Sequence, residues 1–205
     1  MNLDERIKQL RTEVILMARK SQAIFARAVD CLNARDEQIV AEVRSLDSEI
    51  DDLEVRLDRA CVELLALQEP YAFDFRFVFS VIKMIKDFER VGDESKTIAK
   101  WAPKLPEPPD ENMRDLAGRA GEALATAVSA LVEEDRSLAE KVMEIEFTVD
   151  AIEDRIIESA SSLAEAFIAK ALERVGDLAT NVAEDVIFTV SAKDVRHGQF
   201  DAPES

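Results

Sequence analysis

The chain has 205 residues, 47% apolar and 34% charged, with a formal net charge of −17 at pH 7. That content supports one ordinary domain or two small ones and excludes a disordered chain. The acidic excess excludes a nucleic-acid interface, which needs a basic patch, and disfavours adsorption to anionic lipid; it fits cation binding or a basic protein partner.

The N-terminal residues Met1-Asn2-Leu3-Asp4-Glu5 lack the apolar core of a signal peptide, and no run of 18 apolar residues offers a membrane span, so the expected compartment is the cytoplasm. Asn2 with Glu5 three residues on suggests a capping box. From Leu3 the apolar residues Ile7, Leu10, Val14, Met17, Ile24, Ala28 and Cys31 recur at helical spacing, which predicts one long helix ending in a turn at Asn33-Ala34-Arg35. Asp36 is placed to cap a second helix from about Glu37 to Leu67, which Glu69-Pro70-Tyr71 ends because proline breaks the backbone ladder. A third helix follows from about Asp74 to Trp101. It opens with Phe73, Phe75, Phe77 and Phe79, read as core or partner-facing residues, and Trp101 is expected to cap the first bundle.

The stretch Pro103-Lys104-Leu105-Pro106-Glu107-Pro108-Pro109 holds four of the six prolines and divides the chain near its middle. Beyond it the plan repeats: a helix from about Glu111 to Leu131, one from about Arg136 to Ser159 capped by Asp135, and one after Ser162 running to about Ser191. The expected organisation is all-α, with two tandem three-helix bundles related by an internal repeat. Residues 1–102 form the first, 103–110 the linker, 111–192 the second, and 193–205 a loosely ordered tail. Cys31 and Cys61 fall on apolar helical faces and are expected as buried reduced thiols.

The repeat is measurable. Val29, Leu32, Asp36, Val43, Asp51, Glu54 and Arg56 match Val128, Leu131, Asp135, Val142, Asp150, Glu153 and Arg155 at an offset of 99, whereas Glu89-Arg90-Val91-Gly92-Asp93 recurs as Glu173-Arg174-Val175-Gly176-Asp177 at an offset of 84. The second half has therefore lost 15 residues between its middle and last helices. Split over two arms this is about two helical turns each, which keeps the inward face of both helices.

Each pentapeptide puts Glu and Asp on one helix face. The offsets pair each with acidic residues of the preceding helix: Asp47 and Asp51 with Glu89 and Asp93, and Glu146 and Asp150 with Glu173 and Asp177. With 43 acidic residues in the chain, one i,i+4 pair arises by chance and usually marks a solvated face. Repeat-related pairs converging on one patch would instead repel unless cations neutralised them. His197, the only histidine, stands in the tail, and an all-carboxylate set suits hard ions such as iron, manganese or magnesium better than zinc. The single histidine also excludes the Glu-x-x-His signature of di-iron bundles. Arg90 and Arg174 are read as bridging nearby acidic groups. Gly92 and Gly176 serve close helix packing or leave room for an ion, and Asn181, one turn past Asp177, is a candidate to join the second site. No nucleophile–base pair or glycine-rich phosphate loop offers catalysis a footing.

The run Leu172-Glu173-Arg174-Val175-Gly176-Asp177-Leu178-Ala179-Thr180-Asn181-Val182-Ala183-Glu184-Asp185-Val186 resembles the second-repeat signature of the PhoU family of bacterial phosphate-signalling regulators, and Phe88–Asp93 with Ile98-Ala99 resembles the first. The resemblance covers essentially the whole chain. It implies two three-helix bundles with metal clusters at Asp47, Asp51, Glu89, Asp93, Glu146, Asp150, Glu173 and Asp177. It further implies a non-enzymatic, cytoplasmic, dimeric regulator. Such a protein couples a phosphate ABC importer, through its ATPase subunit, to a sensor histidine kinase and represses the phosphate-starvation response. Leu178 departs from the usual histidine, and Lys96, Thr97 and Lys100 depart at the end of the first signature. Lys100 stands where Glu184 does in the other half, so weaker binding is expected at the first site. The competing readings are a metal-homeostasis protein without a signalling partner and a metal-dependent phosphohydrolase.

Overall fold

The computed structural model describes residues 2–68, 70–193 and 195. Among them stand six α-helices and one 3-10 turn: α1 Leu3–Ala34, α2 Glu37–Gln68, α3 Ala72–Trp101, the 3-10 turn Ala102–Lys104, α4 Glu111–Glu133, α5 Arg136–Ser159 and α6 Leu163–Ser191. Most of the expected tail, including His197, lies outside the described residues, as does Glu69 of the anticipated helix stop.

Side-chain caps set most of the starts. Asn2 accepts from the Glu5 amide at 2.9 Å while Glu5 accepts from Asn2 at 3.0 Å, completing the capping box. Asp110 accepts from Met113 at 2.8 Å, Asp135 from Ser137 at 2.7 Å and Ser162 from Glu165 at 3.2 Å. Each satisfies an amide that the first helical turn leaves without a partner. The repeat extends to backbone conformation: α1 and α4 both end on a left-handed residue, Arg35 at φ 55° and Glu134 at φ 53°, and these two are related by the offset of 99.

The lost residues are visible as lost turns. Helix α5 has 24 residues against 32 in α2. In α6 the Glu of the pentapeptide comes ten residues after Leu163, whereas in α3 it comes seventeen after Ala72. About two turns are thus missing from each arm, and the acidic residues stay level across both hairpins.

Within each half the three helices pack on one another, and α3 also packs along α6, with α1 touching α4. One continuous core runs through both halves, from Met17, Ile24, Ile50, Leu57, Met84 and Phe88 to Leu124, Val142, Ile152, Leu172, Val175 and Ile187. Polar links tie α3 to α6. Ser80 donates to the Asp185 carbonyl at 3.3 Å, Lys83 pairs with the Asp185 carboxylate, Arg76 donates to the Thr189 carbonyl at 3.3 Å, and Arg174 pairs with Glu94 at 3.2 Å.

Trp101 does more than cap the first bundle. Its ring stacks on Phe167 of α6 with centroids 4.8 Å apart, and Lys104 lies over it at 4.4 Å, so the start of the linker is pinned to the second half. The phenylalanines divide: Phe77 is buried in the core, while Phe75 and Phe79 are exposed and stack on each other at 6.3 Å. Cys31 and Cys61 are buried and unpaired with each other. None of the described helices is long and apolar enough to cross a membrane.

Candidate metal centre

Close approach of α6 to α5 builds the second acidic cluster, and glycine permits that approach. A Cβ at Gly176 would lie 3.1 Å from Val149 Cγ1, so the mid-helix glycine serves packing. With the helices this close, oxygens of Asp150, Glu173 and Asp177 lie within 4.8 Å of one another. Among the described residues this is the only set of three that closes to that distance. Glu173 Oε1 accepts from Lys170 at 2.9 Å, whereas its Oε2 is buried without a hydrogen-bond partner.

Such crowding is costly to ionise. Burial first, then Glu173 and Asp150, push the Asp177 carboxyl up to about 6. Burial raises Glu146 to about 7 against the opposing Thr180 hydroxyl, with Asp177, Asp150 and Glu184 adding to the rise. Asp150 is raised by burial and by Glu173. One cation reaches the cluster: Lys170 lies 2.9 Å from Glu173 Oε1 and 3.8 Å from Glu153, which offsets part of the crowding and leaves Glu173 Oε2 without a partner. Of the four residues expected here the structure brings Asp150, Glu173 and Asp177 together, with Glu146 alongside. A buried orphan carboxylate oxygen among convergent hard donors fits a hard cation. Asp150, Glu173 and Asp177 would hold it, and it would supply charge neutralisation between α5 and α6.

The first cluster differs in one respect. Gly92 again permits the approach, its would-be Cβ lying 3.0 Å from Asp47 Oδ1. Here, however, Lys96 Nζ lies 2.6 Å from Asp47 Oδ2 and 2.7 Å from Asp93 Oδ1, bridging α2 and α3. Burial lowers the Lys96 pKa, but the hydrogen bonds to Asp47 and Asp93 outweigh it and hold the ammonium well above its ordinary value. Glu89, outside this bridge, is pushed to about 7 by burial, Asp93 and Glu54, and Asp51 is raised by burial and Asp47.

Asn181 lines one pocket with Asp177 and also reaches the first half. Its amide donates to Asp87 of α3 at 3.5 Å, in the groove between the halves that Arg90, Glu94 and Arg174 also line. Arg174 pairs with one acidic group, Glu94, which lies across the α3–α6 boundary. Asp87, which carries no signal in the sequence, is raised to about 6 by burial and then by Asp185. Its neighbours Asn181 and Asp185 come from the other half, so no local spacing marks it.

A duplicated helical bundle with carboxylate clusters at equivalent places in its two repeats defines a class of architecture, and comparison with known proteins places the chain within it. The PhoU domain model matches residues 14–102 and 113–186, and the chain belongs to the PhoU family. It is 33% identical to the phosphate-specific transport system accessory protein PhoU homolog of Aquifex aeolicus over 74% of this chain and 71% of that protein. The homolog of Pseudomonas aeruginosa is 30% identical, over 93% of this chain and 86% of its own length. The crystal structure of PhoU from Pseudomonas aeruginosa superposes with a TM-score of 0.89 at 27% identity, covering 94% of this chain and 100% of the other.

Proposed function

We propose that this protein regulates phosphate uptake and phosphate-responsive gene expression. In this reading it is a cytoplasmic, non-catalytic adaptor that couples the ATPase subunit of a phosphate ABC importer to a sensor histidine kinase, holding the starvation response off when phosphate is plentiful. Family membership over both repeats supports this role, and the names of the relatives describe accessories of a phosphate-specific transport system. The adaptor binds iron, manganese or magnesium through Asp150, Glu173 and Asp177, with Glu146 beside them, and acts as a homodimer. The observation that carries the metal reading is the convergence of three carboxylates around a buried oxygen of Glu173 that has no hydrogen-bond partner.

The cell-level test is deletion of the gene followed by measurement of phosphate-starvation reporter expression in high phosphate. The proposal expects derepression, reversed by the wild-type gene. Unchanged reporter expression in the deletion strain contradicts it.

A further inference from the structure

The two acidic clusters allow a comparison inside one molecule, because most of their surroundings are duplicated. Two lysines related by the offset of 84 flank them: Lys86 holds Glu54 and Asp58, both at 2.8 Å and both outside the first cluster, whereas Lys170 holds Glu173 of the second cluster at 2.9 Å, with Glu153 of α5 at 3.8 Å. The inner position breaks the symmetry. The same offset carries Lys96 onto Thr180, a short neutral residue that brings no charge to the second cluster. Lys96 places its ammonium between an oxygen of α2 and one of α3, at 2.6 and 2.7 Å. The Asp47 side chain it reaches is 10% exposed, while Lys96 itself is 34% and Asp93 53% exposed, so the bridge is buried on its α2 side and open to water on its α3 side.

We infer that Lys96 is a tethered cation that fills the first acidic cluster, excludes a metal ion from it, and makes the protein one-sided, with metal binding confined to α5 and α6. Charge and space both act against an ion there. A metal ion using the same two oxygens must displace an ammonium whose stem is anchored on α3 one turn from Asp93. If the ammonium stays, the ion meets a positive charge within a few ångströms. Being covalently attached, Lys96 is present at every metal concentration, so the α2–α3 seam is closed permanently. At the α5–α6 seam Thr180 stands at that place, and Lys170 engages one oxygen of the Asp150, Glu173 and Asp177 set, which leaves Glu173 Oε2 without a partner and room for an ion among the three. The consequence is a response to metal supply in one half only, with the other half as a fixed scaffold. The inference rests on the proposed metal site at Asp150, Glu173 and Asp177.

The test is Mn²⁺ binding to the full chain, followed by calorimetry and by the spectrum of bound Mn²⁺. In the wild type, Asp47→Asn is expected to leave Mn²⁺ stoichiometry and affinity unchanged, since the first cluster takes no metal. In a background carrying Glu173→Gln and Asp177→Asn, adding Lys96→Gln is expected to restore Mn²⁺ binding, at least about tenfold tighter than the same background with Lys96 intact. A drop in stoichiometry on Asp47→Asn overturns the inference, as does a folded Lys96→Gln variant that gains no Mn²⁺. Circular dichroism reports whether that variant folds, and the Asp47→Asn arm decides the matter alone if it does not. Wild-type Mn²⁺ binding that survives Glu173→Gln and Asp177→Asn instead contradicts the second-half site, so the two failures are read from different proteins.

Discussion

Raising the pH from 5 to 8 in the presence of a chelator should destabilise this protein. The groups responsible are carboxyls whose folded-state pKa is raised chiefly by burial: in the second cluster Glu146 to about 7 and Asp177 to about 6, with Asp150 also raised, and elsewhere Glu89 to about 7 and Asp87 to about 6. A carboxyl with a raised folded pKa binds more protons in the folded state than in the unfolded one. Its contribution is therefore fully present below the unfolded value near 4.5 and is lost as pH rises through 6 and 7. A tenfold change in proton affinity corresponds to about 1.4 kcal/mol, and discounting by half or more for solvent screening leaves on the order of 1–2 kcal/mol for Glu146. Asp177 adds on the order of 1 kcal/mol, not independently, because the two carboxyls interact. From these two carboxyls alone the metal-free protein should lose roughly 1–3 kcal/mol between pH 5 and 8, with Glu89 and Asp87 adding in the same direction, read as a drop in urea midpoint at constant slope. Saturating Mn²⁺ should cancel or reverse the trend, since ligands deprotonate more readily at high pH and ion at 100 times its Kd adds about 2.7 kcal/mol. Glu146→Gln should make the chelator curve shallower, stabilising at pH 8 and changing little at pH 5, with Glu89, Asp177 and Asp87 keeping the remaining slope. Stability that rises with pH in chelator, or identical curves with and without Mn²⁺, would refute this reasoning.

Other expectations follow from packing and burial. Gly176→Ala should destabilise by about 0.5–2 kcal/mol in thermal melts, because crowding of roughly 1–3 kcal/mol against the stiff Val149 exceeds the gain in helix propensity of about 1 kcal/mol. Gly118→Ala, where nothing lies within 4 Å of the new methyl, should stabilise by about 0.5–1 kcal/mol, and equal effects at the two sites would remove the packing explanation. Burial and then Asp58 push the Cys61 thiol up to about 12, so a thiol reagent at pH 8 should reach it only after denaturation. Loss of the Trp101 stack in Phe167→Ala should shift the emission of the chain's single tryptophan to longer wavelength and cost on the order of 1 kcal/mol.

Much of this architecture is readable without coordinates because it is local. Asn2, Asp110, Asp135 and Ser162 carry the helix starts, and the apolar period carries the faces. The two offsets even locate the missing turns, since an acidic pair must stay level with its partner for either copy to work. Contacts between the halves are a different matter. Asn181 reaching Asp87, Arg174 reaching Glu94 and Trp101 stacking on Phe167 all depend on how α3 lies along α6. No spacing in a single stretch encodes that. Lys96 falls between these cases. Its place three residues after Asp93 is plain in the chain, but its bond to Asp47 depends on the register of α2 against α3. The sequence alone therefore attaches the expected weakness of the first site to Lys100, whereas the structure puts the bridging charge on Lys96.

The most direct test of the account is the metal content of the purified chain, by elemental analysis without chelator treatment, beside a variant carrying Glu173→Ala and Asp177→Ala. The account predicts iron, manganese or magnesium in the wild-type protein and its loss from the variant, with helical content unchanged. Equal metal content in the two proteins would contradict it.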